Sequence, residues 1–371
     1  MQSLVLANLT QRPTRTIASI LGVAVGFVLI VMTVGLARGI LYDAGQRERN
    51  VGAEILFQSP GGFGGMATSP MTLPVAYCRL LNQVEGVQTV TPVGRFLRSG
   101  AGGIGFEVVE GIVTEPTADY ASYAQISGIR IVQGDELRRD DEILIDRQHA
   151  TTRQLAPGSI VRLFDREFRV AGIYEPPSGA RLKIRLNVMQ QLLGTPDKCS
   201  TILVKCANPD DQDAVALGIN ERIPGNRVVL ARDIPNYYEN SFPGLPVFLR
   251  VVMGLAMVIS ALVILLAMYT AVMERTRDIG VLKSLGASKG FILRVIEQEA
   301  LLISGLGAVV GFLLALLTRF GITTYTTLLI KFELNWLLMA LLIALLGGAL
   351  GALYPAVRAA RQDPVKALSY E

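Results

Sequence analysis

The residues best placed to act on a partner lie between Met273 and Ala300, in the stretch MERTRDIGVLKSLGASKGFILRVIEQEA. Arg275, Arg277, Lys283, Lys289 and Arg294 stand there, flanked by two of the most apolar segments of the chain. Side chains of these types in this pattern support polar docking rather than bond-making. Gly286 suits the left-handed stop of one helix, and Ser288 can accept a backbone N–H at the start of the next. Ahead of the glycine, Val281, Leu282 and Leu285 fall on one helical face, leaving Arg275, Asp278 and Lys283 for water or headgroups. The spacing predicts a short surface helix, a turn, and then a helix entering a membrane.

The sequence contains no pattern for catalysis. There is no G-x-x-x-x-G-K-[ST] phosphate loop, and the glycine run GAGGIG at 100–105 lacks the lysine, so it reads as a surface turn. No Ser/His/Asp, Cys/His or paired-carboxylate arrangement stands out. The single histidine, His149, has no neighbouring ligand pattern and is expected at the surface or in a turn, with no metal. Cys78, Cys199 and Cys206 are odd in number. Cys199 and Cys206 bracket one predicted strand, too far apart to bridge, so no disulfide is assigned. The expectation is a non-enzyme with no catalytic, cofactor or metal residues of its own.

Four long segments must position the charged stretch. Of 371 residues, 51% are hydrophobic and only 18% charged, against about 25% charged in an ordinary soluble domain. The deficit is concentrated in charge-free runs at 16–37, 251–273, 300–318 and 334–357. At about 1.5 Å per residue each reaches roughly 30 Å, enough to cross a hydrocarbon core. The fold class is therefore an α-helical membrane protein with four transmembrane helices and a large α+β domain between the first and second. The first run is too long for a signal core and reads as an uncleaved anchor. Basic residues near the spans place residues 1–15, the 274–299 loop and the 358–371 tail in the cytoplasm, and 38–250 outside. These flanking bases account for the net charge of +4 without any nucleic acid.

Within the spans, Gly22 and Gly26, Gly307 and Gly311, and Gly347 and Gly351 form small-xxx-small pairs, with Ala256 and Ser260 a weaker one. Such pairs allow close helix packing, within one chain or against a second copy; glycine tolerance alone also produces them. No charge-free run holds an ionisable group of the kind ion pathways keep. Residues 1–15 suit an amphipathic helix on the inner leaflet. Outside, 54–58 and 87–93 read as strands around a helix closed by Gly86, with a Gly/Pro-rich loop at 59–74. A second strand–helix–strand half runs 201–206, a helix from Asn208-Pro209-Asp210, then 228–230. The two halves, 50–96 and 198–232, predict one split α+β unit interrupted by an insertion at 97–197. The insertion includes a hairpin with Val161, Leu163, Phe168 and Val170 on one face.

The 273–300 stretch resembles the cytoplasmic loop of the MacB/FtsX-like family of ABC transporter permeases, E-R-T/S-R-E-I-G-x-L-K-A-L-G-A-S. Glu274, Arg275, Thr276, Arg277, Asp278, Ile279, Gly280, Leu282, Lys283, Leu285, Gly286, Ala287 and Ser288 fall in register; Asp278 stands for the family's Glu and Ser284 for its Ala. Leu21-Gly22-Val23-Ala24-Val25-Gly26 and Leu353-Tyr354-Pro355-Ala356 resemble the family's first span and C-terminal motif, the latter continued by Asp363-Pro364-Val365-Lys366-Ala367-Leu368. Pro13 departs from the family's opening, and Lys366 stands for its Glu.

The resemblance is to stand-alone permeases of the DevC and LolC/LolE type. It implies a porter-like split subdomain with a sabre-like insertion, in a bacterial inner membrane. It further implies a homodimer, or a heterodimer with a related permease, on two copies of a separate ABC ATPase that binds the ATP and Mg. Glu274, Arg275, Arg277, Asp278, Ile279, Val281, Leu282, Lys283, Leu285 and Gly286 would couple to that ATPase, with the small pairs packing helices or the dimer. Mechanotransmission to the external domain would drive export, through a periplasmic adaptor and an outer-membrane duct. The alternative implied is an FtsX-type signalling subunit that switches an external partner such as a cell-wall hydrolase.

Overall fold

The computed structural model describes residues 13–60, 71–99, 106–234, 244–274 and 276–361. The surface helix expected before residue 13, most of the Gly/Pro loop (61–70), the GAGGIG turn, Arg275 and the C-terminal motif from Asp363 lie outside the described residues. The chain forms two compact units. One comprises residues 1–39, 244–324 and 328–371; the other comprises 40–243 and 325–327.

The first unit is helical. Its four long helices are Pro13–Arg49, whose residues from Ile40 on belong to the second unit, Leu245–Glu274, Lys289–Tyr325 and Leu334–Arg361. All four are long and apolar enough to cross a membrane. Each overruns the charge-free run that announces it: the third starts at Lys289 rather than near residue 300. Hydrocarbon thickness limits the apolar stretch, whereas backbone hydrogen bonding carries the helix on until a cap or turn stops it. Leucines such as Leu266 and Leu317 point outward, while Val23, Phe27, Ile264, Met268, Ile303 and Ala308 form the interior.

Small residues set how closely these helices approach. A Cβ on Gly22 would lie 2.5 Å from Val263, and one on Gly26 2.5 Å from the Ser260 hydroxyl, in the second helix. A Cβ on Gly307 would lie 2.7 Å from Val23, and one on Gly311 2.9 Å from the Ala24 carbonyl, in the first. Gly347 and Gly351 pack on Met257 and Ala261 of the second helix. All six glycines thus serve contacts inside one chain. Lipid offers apolar side chains no better solvent inside the protein than outside, so close packing of this kind holds membrane helices together.

The second unit is built on a ten-stranded sheet. Its strands are β1 (Ile55–Gln58), β3 (Val87–Ser99), β4 (Phe106–Ile112), β5 (Arg130–Gly134), β6 (Glu142–Asp146), β7 (Ile160–Leu163), β8 (Arg166–Glu175), β9 (Leu182–Arg185), β11 (Thr201–Cys206) and β12 (Arg227–Leu230). The order is β12-β1-β11-β3-β4-β9-β6-β8-β5, with β7 on β8; β2 (Leu73–Pro74) and β10 (Lys198–Cys199) form a separate pair. The halves on either side of the insertion interleave, since β1 lies between β11 and β12.

β3 joins the two parts. Residues 87–93 pair with β11, and 94–99 pair with β4, the first strand of the insertion. The predicted hairpin forms as β7–β8, with Leu163, Phe168 and Val170 buried and the turn at Phe164 and Asp165, both at positive φ. The three cysteines are free and buried.

His149 corrects the expectation of a surface position. It lies in the first turn of helix Arg147–Arg153, only 4% exposed, and its backbone N–H is capped by Asp146 at 2.6 Å. Nothing in a lone histidine codon announces burial; the cap and the packing of the insertion decide it.

Candidate functional site

The bridge between the second and third long helices folds as Thr276–Ser284 and a turn. Gly286 adopts φ +94°, Gly286 N–H bonds the Lys283 carbonyl and Ala287 N–H bonds the Leu282 carbonyl, both at 3.0 Å. This paired bond set closes a helix through a left-handed residue. Ser288 then caps the next helix, its hydroxyl accepting from Phe291 N–H at 3.2 Å.

The bridge helix has two unlike faces. Thr276, Ile279 and Gly280 are buried, and Leu282 is half-buried. Arg277, Val281, Ser284 and Leu285 are exposed, Leu285 by 79%. Glu274 is exposed as well. Lys283, expected to face outward, turns back instead, its Nζ donating to the Ala360 carbonyl at 2.9 Å in the last turn of the fourth long helix. Ala360 carries one of the last four carbonyls of that helix, which lack an intrahelical donor, so a cation there is favoured. Arg277, Val281 and Leu285 fall at i, i+4 and i+8, which leaves a narrow apolar stripe with a guanidinium at its start.

A second charged cluster lies inside the sheet unit, and the motif reading missed it. Arg95 of β3 donates to both carboxylate oxygens of Glu48 at 2.7 and 3.0 Å, and its Nε donates to Glu110 of β4 at 3.0 Å. Lys183 of β9 donates to Glu110, to the Ser178 carbonyl at 2.8 Å and to the Tyr123 hydroxyl at 3.2 Å. Its ammonium sits 4.6 and 5.1 Å from the ring centres of Tyr123 and Tyr174. Lys183 and Glu110 are fully buried. Burial by itself pushes Glu110 up, but the Lys183 and Arg95 charges and their hydrogen bonds bring its carboxyl below the usual range. Burial also pushes the Tyr174 phenol well up, and its hydroxyl donates to the Ala180 carbonyl at 2.6 Å.

Beside this chain of ions, Arg47 pairs with Asp146 and, at 3.1 Å, with Asp43. Arg181 reaches Asp43 at 2.7 Å and Asp146 at 3.3 Å. Glu48, Arg47 and Asp43 all come from the end of helix Pro13–Arg49. The one sequence trace of the cluster is the alternation Arg181-Leu182-Lys183-Ile184-Arg185, charges on one face of a short strand and aliphatics on the other. Alternation alone signals a wet face; acids from distant segments made this one dry.

Four helices long and apolar enough to cross a membrane, with a sheet domain inserted after the first, mark a membrane protein with a large inserted domain. A MacB-like periplasmic core domain matches residues 16–222, more than half of the chain, and an FtsX-like permease C-terminal domain matches 250–364. The chain belongs to the MacB/FtsX-like family of ABC transporter permeases. An uncharacterised ABC transporter permease of Methanocaldococcus jannaschii is 21% identical over 98% of this chain and 96% of its own length. The macrolide export ATP-binding/permease protein MacB of Escherichia coli is 23% identical over 96% of this chain, which spans only 58% of that protein. The crystal structure of the periplasmic region of MacB from Actinobacillus actinomycetemcomitans aligns with a TM-score of 0.37 at 17% identity, covering 52% of this chain and 95% of that one.

Proposed function

We propose that this permease couples a separate cytoplasmic ABC ATPase to its external domain by mechanotransmission, and that the work done is export of a substrate. The observation that carries this reading is the bridge helix, one face bound to the bundle and the other presenting Arg277, Val281 and Leu285. A helix held this way can receive a push. Its exposed stripe suits a groove on an ATPase, with Arg277 toward an acidic rim and Leu285 in an apolar floor. In this reading the bridge faces the cytoplasm, as its basic residues favour, and the sheet domain faces the other compartment. The ATPase acts as a pair of subunits that bind ATP and Mg, and the permease works as a dimer.

The test is co-purification of the full-length chain with an ATPase subunit from its own host in mild detergent. Arg277→Glu combined with Leu285→Asp should abolish co-purification while membrane insertion persists. Retained ATPase binding in the double variant would refute the docking assignment. A wild-type complex that docks its ATPase but releases no substrate would instead favour the FtsX-type switch, in which the same stroke acts on an external partner.

A further inference from the structure

Arg181 lies just before β9, and its guanidinium donates to four residues. One guanidinium nitrogen, Nη2, donates to Asp43 at 2.7 Å and to the backbone carbonyl of Thr327 at 3.0 Å. The other, Nη1, donates to Gln148 at 2.8 Å and to Asp146 at 3.3 Å. Gln148 reaches the same Thr327 carbonyl at 3.5 Å. These acceptors come from three separated stretches of chain. Asp43 lies near the end of the first long helix, Asp146 and Gln148 lie where β6 runs into its helix, and Thr327 lies in the connection after the third long helix.

Residues 325–327 belong to the sheet unit although the chain on both sides of them belongs to the helical one. The helix end is fastened at further points: Gly179 N–H bonds the Arg47 carbonyl at 3.0 Å, and the Asn50 side chain donates to the Pro177 carbonyl at 2.8 Å. A planar guanidinium with five fixed donors can serve four such acceptors at once, which a lysine ammonium cannot. Its side chain is 16% exposed, so the charge is largely withdrawn from water without being sealed.

We propose that Arg181 is a positioning residue for the output of this permease: it clasps the end of the first helix and the 325–327 segment as one piece with β9, so that displacement of either segment reaches the inserted half of the sheet. The role rests on the coupling reading above. Within the clasp, Asp43 and Asp146 hold the charge, and Thr327 is the neutral acceptor that ties in the second helical connection.

Hydrogen exchange of the full-length chain in lipid nanodiscs tests the clasp directly. In Arg181→Met, amides at 40–47 and 328–331 should exchange about tenfold faster, while β1 and β11 stay unchanged. Arg181→Lys should fall between. Acceleration confined to 180–183 overturns the proposal. Should Arg181→Met loosen the whole domain, Gln148→Ala, which keeps every ion pair, must still speed 328–331; unchanged exchange there overturns the proposal equally.

With the ATPase bound, ATP should alter exchange in Thr276–Ser284 of wild type and Arg181→Met alike, but should alter β9 only in wild type and Arg181→Lys. A wild-type response in β9 of Arg181→Met refutes the positioning role. Absence of any ATP response in wild-type Thr276–Ser284 refutes the coupling reading instead, and the exchange of the isolated chain still decides the clasp.

Discussion

The two units of this chain solve the same packing problem with opposite chemistry. In the helical unit, contacts between helices are made by glycine, alanine and serine, and backbones approach until a single methyl at Gly311 would meet the Ala24 carbonyl at 2.9 Å. In the sheet unit, fully buried Lys183 and Glu110 sit among tyrosines and the guanidinium of Arg95. The difference follows from the solvent outside. Lipid rewards only fit, because moving an apolar side chain from lipid to protein gains little. Water already drives the sheet's apolar core together, so a paired charge can be carried at some cost in stability and in return admits only one arrangement of its partners.

Breaking the contrast from the sheet side should have the largest effect. Lys183→Met leaves Glu110 buried with one cation in place of two, and truncating one partner of a buried pair costs about 3–5 kcal/mol. Thermal unfolding of the full chain in detergent should show this as a drop for the sheet unit.

The next effect depends on pH. Burial holds His149 neutral, pulling its pKa from 6.5 down to about 4. The unfolded chain takes up the proton first as pH falls, so the stability from this residue is complete above pH 6.5 and is lost between 6.5 and about 4. The full loss is about 3 kcal/mol. His149→Gln should flatten that part of a stability-versus-pH curve; an unchanged slope would mean the imidazole titrates normally.

On the helical side the expected effects are smaller. Gly311→Ala should cost about 2 kcal/mol through overpacking against Ala24 and Phe27, measured as a lower midpoint of denaturation in mixed micelles. Charge variants at the bundle's surface should leave the same midpoint in place. Gly286→Ala meets no neighbouring atom, so its cost of about 1 kcal/mol is backbone strain at φ +94° alone. It should appear as faster amide exchange over 280–288 rather than as a change in global stability.

Much of this architecture could be read locally. Gly286 and Ser288 mark the end of one helix and the start of the next because capping involves only neighbouring residues. Val161, Leu163, Phe168 and Val170 revealed their hairpin because strand alternation is a short-range signal. The helical periodicity of the bridge placed Val281 and Leu285 on one face, and both are exposed, although Leu282, read on the same face, is half-buried. Lys283 turns back against the outward position its spacing predicts, because its partner, the Ala360 carbonyl, lies far away in sequence.

The sequence by itself determined what period and composition can carry: four apolar helices, a sheet domain after the first, the caps of the bridge and the small residues available for close packing. Tertiary structure alone decided which helix each glycine meets, how the two halves of the sheet interleave through β3, and that Glu48, Arg95, Glu110 and Lys183 form one dry chain of ions. The reason is range. Hydrogen-bonded periodicity and capping act over a few residues, whereas a buried charge is tolerable only if distant segments deliver its counter-charges to the same place.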